Sequence, residues 1–199
     1  MTREVARART AGRHVVLIGL SGSGKSTVAP LLAAALDRSS LDTDTLLAAR
    51  AGQPVADLLR AGETRFRALE EQALQAALDA PPAVVATGGG IVLSERNRAA
   101  LAAGPLVVWL RAPSTVLAAR VTATAEQRPL LAGGDPVTRL SALLATRAEF
   151  YAACAHIVVE TAGLAPGEVV ETILHYLEPL DQRSTLGAIE RGGDDDAVR

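Results

Sequence analysis

Eight residues do most to constrain how this chain can fold: Gly19-Leu-Ser-Gly22-Ser-Gly24-Lys25-Ser26, with Thr27 next. The spacing G-x4-G-K-[ST] follows directly on the apolar run His14 to Leu20 and opens an Ala/Leu-rich stretch from Lys25 to Leu36. A strand feeding a helix through a glycine-rich turn aims backbone N–H groups into one concavity, and the helix N-terminus adds a fixed partial positive charge. Such a concavity suits a phosphate chain. Lys25 then reaches the β- and γ-phosphates of ATP and the Ser26 hydroxyl is placed to ligate Mg²⁺, while Gly22, Ser23, Gly24 and Thr27 complete the cradle. Of the 20 basic residues all but Lys25 are arginine, so a composition that otherwise chooses Arg makes its one exception here.

The rest of the chain alternates in the same way. Short apolar runs (14–20, 39–42, 83–87, 105–111 and 156–160) are separated by stretches of helical composition at 25–36, 45–51, 63–80, 95–103, 115–122, 137–152 and 168–177. Strand followed by helix, repeated, predicts βαβ units and an α/β fold: a five-stranded parallel sheet covered on both faces by helices, in three layers. A single domain is expected over 14–179, with a flexible leader at 1–13 and a flexible acidic tail at 180–199 that carries Asp194, Asp195 and Asp196. The segment 123–135, with one Pro and two Gly between helices, reads as a hinged lid; a plain surface loop would have a similar composition.

Charge and composition narrow the class of function. The formal net charge is −2 and the basic residues are dispersed, which argues against nucleic-acid binding. No apolar run approaches the roughly 18 residues a membrane span needs. The one cysteine, Cys154, cannot form an internal disulfide, so a reducing, cytoplasmic setting and a structural thiol are expected. The histidines are not spaced for a metal, and Trp109 reads as core. A monomer is expected.

On the acceptor side, the second strand ends in Leu41-Asp42-Thr43-Asp44. Alternating strand residues share a face, which would place Asp42 and Asp44 together at the carboxyl end of a strand beside the phosphate loop. One carboxylate can serve hydrated Mg²⁺ and the other an acceptor hydroxyl; either could instead cap the next helix. Arg67 lies four residues after Glu63, so a surface ion pair also accounts for it. Gly88, Gly89 and Gly90 at the end of the third strand allow close approach of backbone to a ligand. That strand ends without the aspartate of ATPase motors and GTPase switches, which favours a small-molecule kinase.

Taken together, GLSGSGKST, LDTD, the G-E-x-x-F-R-x-x-E of Gly62 to Glu70, the glycine triplet, Arg128-Pro-Leu-Leu131 and Arg147 four residues before Tyr151 resemble shikimate kinases over about 14–177. The resemblance implies transfer of the γ-phosphate of ATP to the 3-hydroxyl of shikimate, with Mg²⁺. It assigns Arg67 and Arg147 to the shikimate carboxylate, Asp44 to the ring hydroxyls as base, and Asp42 to Mg²⁺ through water. It also gives backbone contacts to the glycine triplet, chiefly Gly89, and the phosphates to Arg128. Planar bidentate donors suit a carboxylate. The sequence departs from the family in the uncharged loop 161–166 after the last strand, where a basic residue is common; Arg120 is the candidate for stacking on adenine. A gluconate kinase of the same fold and a regulator that has lost catalysis are the rivals. The gluconate acceptor motif is not found, and Lys25, Asp44, Arg67 and Arg128 are intact.

Overall fold

A computed structural model describes residues 2–123 and 134–177. Among them, β1 (Val15–Ile18), β2 (Ser40–Asp42), β3 (Val84–Ala86), β4 (Leu106–Arg111) and β5 (Ile157–Glu160) form one parallel sheet in the order β2-β3-β1-β4-β5. The helices are α1 (Thr2–Arg9), α2 (Lys25–Leu36), α3 (Thr43–Ala51), α4 (Val55–Ala61), α5 (Glu63–Asp79), α6 (Glu95–Ala103), α7 (Ser114–Thr122), α8 (Pro136–Cys154) and α9 (Pro166–Tyr176).

Period-two alternation divides the strands between two cores. Val15 and Leu17 of β1, Val84 and Ala86 of β3 and Val108 and Leu110 of β4 pack with α2 and α9. Val16, Ile18, Val85, Val107 and Trp109 pack on the other face, with α5, α6, α7 and α8. A smaller third cluster, Leu47, Leu58, Phe66 and Ala73, joins α3, α4 and α5 beside the carboxyl end of the sheet. In register, Ala86 pairs with both Leu17 and Asp42, so the loops leaving β1, β2 and β3 emerge at one level. That alignment creates the site.

The expected flexible leader at 1–13 is not what the structure shows. Residues 2–9 are helical, and Ala6 and Thr10 are fully buried. The arginines that gave the segment its polar composition act as helix-end donors. Arg7 Nε donates to the Ala35 carbonyl in the last turn of α2, and an Arg9 guanidinium nitrogen donates to the Leu177 carbonyl that ends α9. Arg38 returns the favour, donating to the carbonyls of Thr10 and Arg13 at 2.6 Å each. Carbonyls orphaned at helix ends are thus satisfied by side chains. Helix α4 was also unexpected, since Leu58 is its one buried residue and a short element with one anchor gives no periodic signal. The expected lid lies mostly, and the acidic tail wholly, outside the described residues.

Cys154 is buried, and burial pushes its thiol up. His14 is structural: its Nδ1 accepts from the Ala83 N–H and its Nε2 donates to the Leu78 carbonyl, both at 3.1 Å.

Docking of α1 has a direct test. Ala6→Asp buries an unpartnered carboxylate, at a cost of about 3 kcal/mol or more. For a chain of this size that lowers the thermal midpoint by about 6–12 °C. Ala8→Asp, at an exposed position of the same helix, is expected to shift it by less than about 2 °C. Equal, small shifts in differential scanning fluorimetry would show that α1 is not packed.

Candidate active site

The turn between β1 and α2 takes conformations that require glycine. Gly19 and Gly22 have φ of +140° and +83°, and a Cβ on Gly22 would lie 2.7 Å from the Leu117 carbonyl oxygen of α7. Lys25 opens α2 and folds back along the turn. Its ammonium donates to the carbonyls of Gly19 (2.8 Å) and Leu20 (2.9 Å) and to Ser23 Oγ (3.3 Å).

β2 stops at Asp42, which caps α3: its Oδ1 accepts from the N–H groups of Asp44 (2.9 Å) and Thr45 (3.4 Å). Its Oδ2 accepts from the Ser26 hydroxyl at 2.9 Å. A cap and a contact with the phosphate loop are therefore both made by one carboxylate. Asp44 does not reach the site by strand alternation, as expected from the sequence, but from the first turn of α3. A Cβ on Gly88 would lie 2.9 Å from both Asp44 Oδ1 and Glu70 Oε1.

Arg67 on α5 lies between two glutamates of its own helix, at 2.8 Å from Glu70 Oε2 and 3.2 Å from Glu63 Oε1. The ion pair with Glu63 that could have made it a surface residue does form, yet Arg67 also faces inward: its NH1 would be 2.2 Å from a Cβ on Gly90. Arg147 of α8 is buried and donates to the Gly89 carbonyl at 3.0 Å, and the Tyr151 hydroxyl donates to the same oxygen.

These groups line one cavity of about 560 Å³, within the range of small-molecule sites. Lys25, Ser26, Asp42, Asp44, Arg67, the glycine triplet and Arg147 all border it, with an apolar wall from Val55, Leu59, Phe66, Leu140 and Leu143. A second cavity of about 270 Å³ lies on the other side of the loop, bordered by Gly22, Ser23, Gly24, Thr27, Arg120, Thr161 and Pro166. Lys25 and Ser26 border both. Arg120 is held to this second wall by Thr161, donating to Oγ1 at 2.9 Å and to the carbonyl. Arg128 lies outside the described residues. The structure thus brings every described site residue to one of two adjoining cavities.

Electrostatics in the larger cavity centre on Glu70, whose side chain is 2% exposed. Burial pushes its carboxyl up; Arg67 opposes this, Asp44 adds to it, Arg147 opposes it, and the net direction is upward. Burial lowers Arg67, but Glu70 and Glu63 outweigh it and the guanidinium stays charged. Sequence reasoning gave Glu70 and Tyr151 no role, although both stand in the quoted motifs. The signal was their spacing on a helix, three residues after Arg67 and four after Arg147.

The family model described as shikimate kinase matches residues 21–178. The chain belongs to the shikimate kinase family. Family membership makes it an ATP-dependent phosphotransferase. Curated shikimate kinases from Symbiobacterium thermophilum and Mycobacterium avium are 42% and 44% identical to it, over 85% and 83% of this chain and 99% and 94% of theirs. A shikimate kinase from Acinetobacter baumannii, solved in complex with shikimate, superposes with a TM-score of 0.81 at 31% identity, covering 86% of this chain and 96% of that one. A gluconokinase from Sinorhizobium meliloti, with a TM-score of 0.55 at 20% identity, shares the fold alone.

Tyr151 sets a pH dependence. Burial pushes its hydroxyl up to about 12, while in the unfolded chain it ionises near 10. The native state therefore holds a proton that the unfolded state releases, so stability falls as pH rises from about 10 to 12, by about 2–3 kcal/mol. Urea unfolding across that range is expected to show this loss in the wild type over and above that of Tyr151→Phe. Parallel curves would show that the hydroxyl is not buried.

Proposed function

We propose that the chain transfers the γ-phosphate of ATP to the 3-hydroxyl of shikimate, giving shikimate 3-phosphate and ADP. The observation that carries this reading is the convergence of Arg67, Arg147 and Asp44 on a cavity bordered by Lys25 and Ser26 of the phosphate loop. Two guanidiniums offer bidentate donors to one carboxylate. With the carboxylate at that end, the hydroxylated side of the ring faces Asp44 and the phosphate loop, and the apolar wall covers the ring faces.

In the proposed step the hydroxyl oxygen of the acceptor forms a bond to the γ-phosphorus as the bond from that phosphorus to the β–γ bridging oxygen breaks. The hydroxyl proton passes to the Asp44 carboxylate, and the electron pair leaves with ADP. Lys25, which opens α2 at the phosphate loop, would offset charge developing on the β- and γ-phosphates. Adenine is assigned to the smaller cavity, which Arg120, Thr161 and Pro166 border. Arg128 is assigned to the transferred group on the family resemblance.

Mg²⁺ fits the donors present. Ser26 Oγ and Asp42 Oδ2 are hard oxygens 2.9 Å apart beside the loop. Ser26 would bind it directly and Asp42 through water, and the ion would supply neutralisation of phosphate charge. We read the protein as a cytoplasmic monomer acting on small molecules rather than on nucleic acid or membranes. Among the described residues no helix is long and apolar enough to cross a membrane.

ADP release measured with shikimate, quinate and gluconate in turn tests the assignment. Turnover with shikimate alone is expected; turnover with gluconate, or ATP binding without turnover on any acceptor, overturns it. Asp44→Asn is expected to keep ATP binding and lose ~10²–10⁴-fold in kcat, as for a positioned base, and a wild-type rate would remove Asp44 from the mechanism. Arg67→Ala is expected to raise KM for shikimate at least about tenfold, since 1.4 kcal/mol is a factor of ten, with KM for ATP little changed. It also leaves the buried Glu70 unpaired and lowers stability, so the ratio of the two KM values is the readout.

A further inference from the structure

The polar groups of the glycine triplet can be accounted for one by one. Thr87 Oγ1 donates to the Leu17 carbonyl at 2.9 Å, anchoring the end of β3 to β1. The Gly88 N–H donates to Thr43 Oγ1 at 3.1 Å, and the Gly88 and Gly90 carbonyls accept from Ile91 and Leu93. The Gly89 carbonyl accepts from both Arg147 and Tyr151. Among the described residues, the N–H groups of Gly89 and Gly90 bond to no protein acceptor, and both glycines border the larger cavity. They are the donors the loop presents.

Arg147 is asked to do two things in this arrangement. Its NH1 holds the Gly89 carbonyl, and under the proposed function its guanidinium also meets the acceptor carboxylate. Turning the fork of the guanidinium toward a carboxylate draws NH1 away from the carbonyl it holds. The second donor on that carbonyl then decides whether the loop keeps its shape.

We propose that Tyr151 is a positioning residue: its hydroxyl keeps hold of the Gly89 carbonyl, so that Arg147 can turn to the acceptor carboxylate while the Gly89 and Gly90 N–H donors stay in place. The assignment rests on the reading of Arg147 as a ligand of the acceptor carboxylate.

Three features fit this role. Tyr151 is fully buried, and its ring stacks on Trp109 of β4 with centroids 5.5 Å apart and planes inclined at 25°, which fixes the ring. A buried tyrosine hydroxyl needs a partner, and a carbonyl has two lone pairs, one for each donor. Because the peptide is planar and trans, holding the Gly89 C=O also sets the direction of the Gly90 N–H. There is little room for the loop to absorb a displacement. A Cβ on Gly89 would lie 3.3 Å from the Ser21 N and one on Gly90 2.2 Å from Arg67 NH1, so the triplet is pressed between the phosphate loop and the guanidinium. The hydroxyl also stays protonated, and so remains a donor, at any pH used for assays.

Tyr151→Phe keeps the ring and its stack and removes only the donor. It is expected to raise KM for shikimate about 5–20-fold, leave KM for ATP within about twofold, and remain folded by circular dichroism. Trp109→Phe, which thins the stack and keeps the hydroxyl, is expected to leave the ratio of the two KM values within about twofold of wild type. The inference is overturned if Tyr151→Phe leaves that ratio unchanged, if both KM values rise together, or if Trp109→Phe reproduces the effect, since each result assigns Tyr151 to packing alone. Failure of the wild type itself to phosphorylate shikimate would instead bring down the functional reading on which the inference rests.

Discussion

β1 has a hydrogen-bonded neighbour on each edge and a helical layer on each face, and all four of its residues are fully buried. No water reaches such a strand, so its chain can turn polar only where the sheet ends. The glycine turn that follows is the first place where backbone N–H groups can face solvent or ligand, and it sits at the centre of the sheet. Strand β3 ends on one side of it and α7 packs against it on the other. The site is central because the most buried strand is central.

Charge in the larger cavity is balanced by groups that do not all need to move. Glu70 is a buried carboxylate with Arg67 as its permanent partner, close to Asp44 and Arg147 as well. A buried acid of this kind costs free energy to desolvate, and its pairing is a weak source of stability. Its value is geometric: with Glu63 on the other nitrogen, it orients Arg67 toward the glycine triplet. Tyr151 stands in a comparable relation to Arg147. Each guanidinium assigned to the acceptor thus has a neighbour that holds part of the structure in its place.

The preference for arginine has a structural counterpart far from the site. Arg7, Arg9 and Arg38 spend their donors on carbonyls at the ends of α1, α2 and α9, which lysine would meet with a single compact head. At Lys25 the requirement is different. A narrow, flexible stem must fold back beneath a glycine turn and present three donors from one point, which a planar fork does not do.

Short apolar runs between stretches of helical composition, and the glycine motif, made the strand–helix order, the parallel sheet and the phosphate loop legible in the sequence, because both are local signals written in consecutive residues. Seven of the helices and all the strands fall where composition placed them. What the sequence left undecided depends on distance in space. Whether Arg67 is a surface partner of Glu63 or an inward donor turns on Glu70 and Gly90, and the two functions of Asp42 appear only when Ser26 meets it across two loops. The helical state of residues 2–9 likewise follows from carbonyls that other helices present. Local order is determined by backbone sterics and the burial of alternate side chains, which a sequence contains in full. The pairing of charges and hydrogen-bond donors is set by which loops the sheet brings level, and only the folded chain decides that.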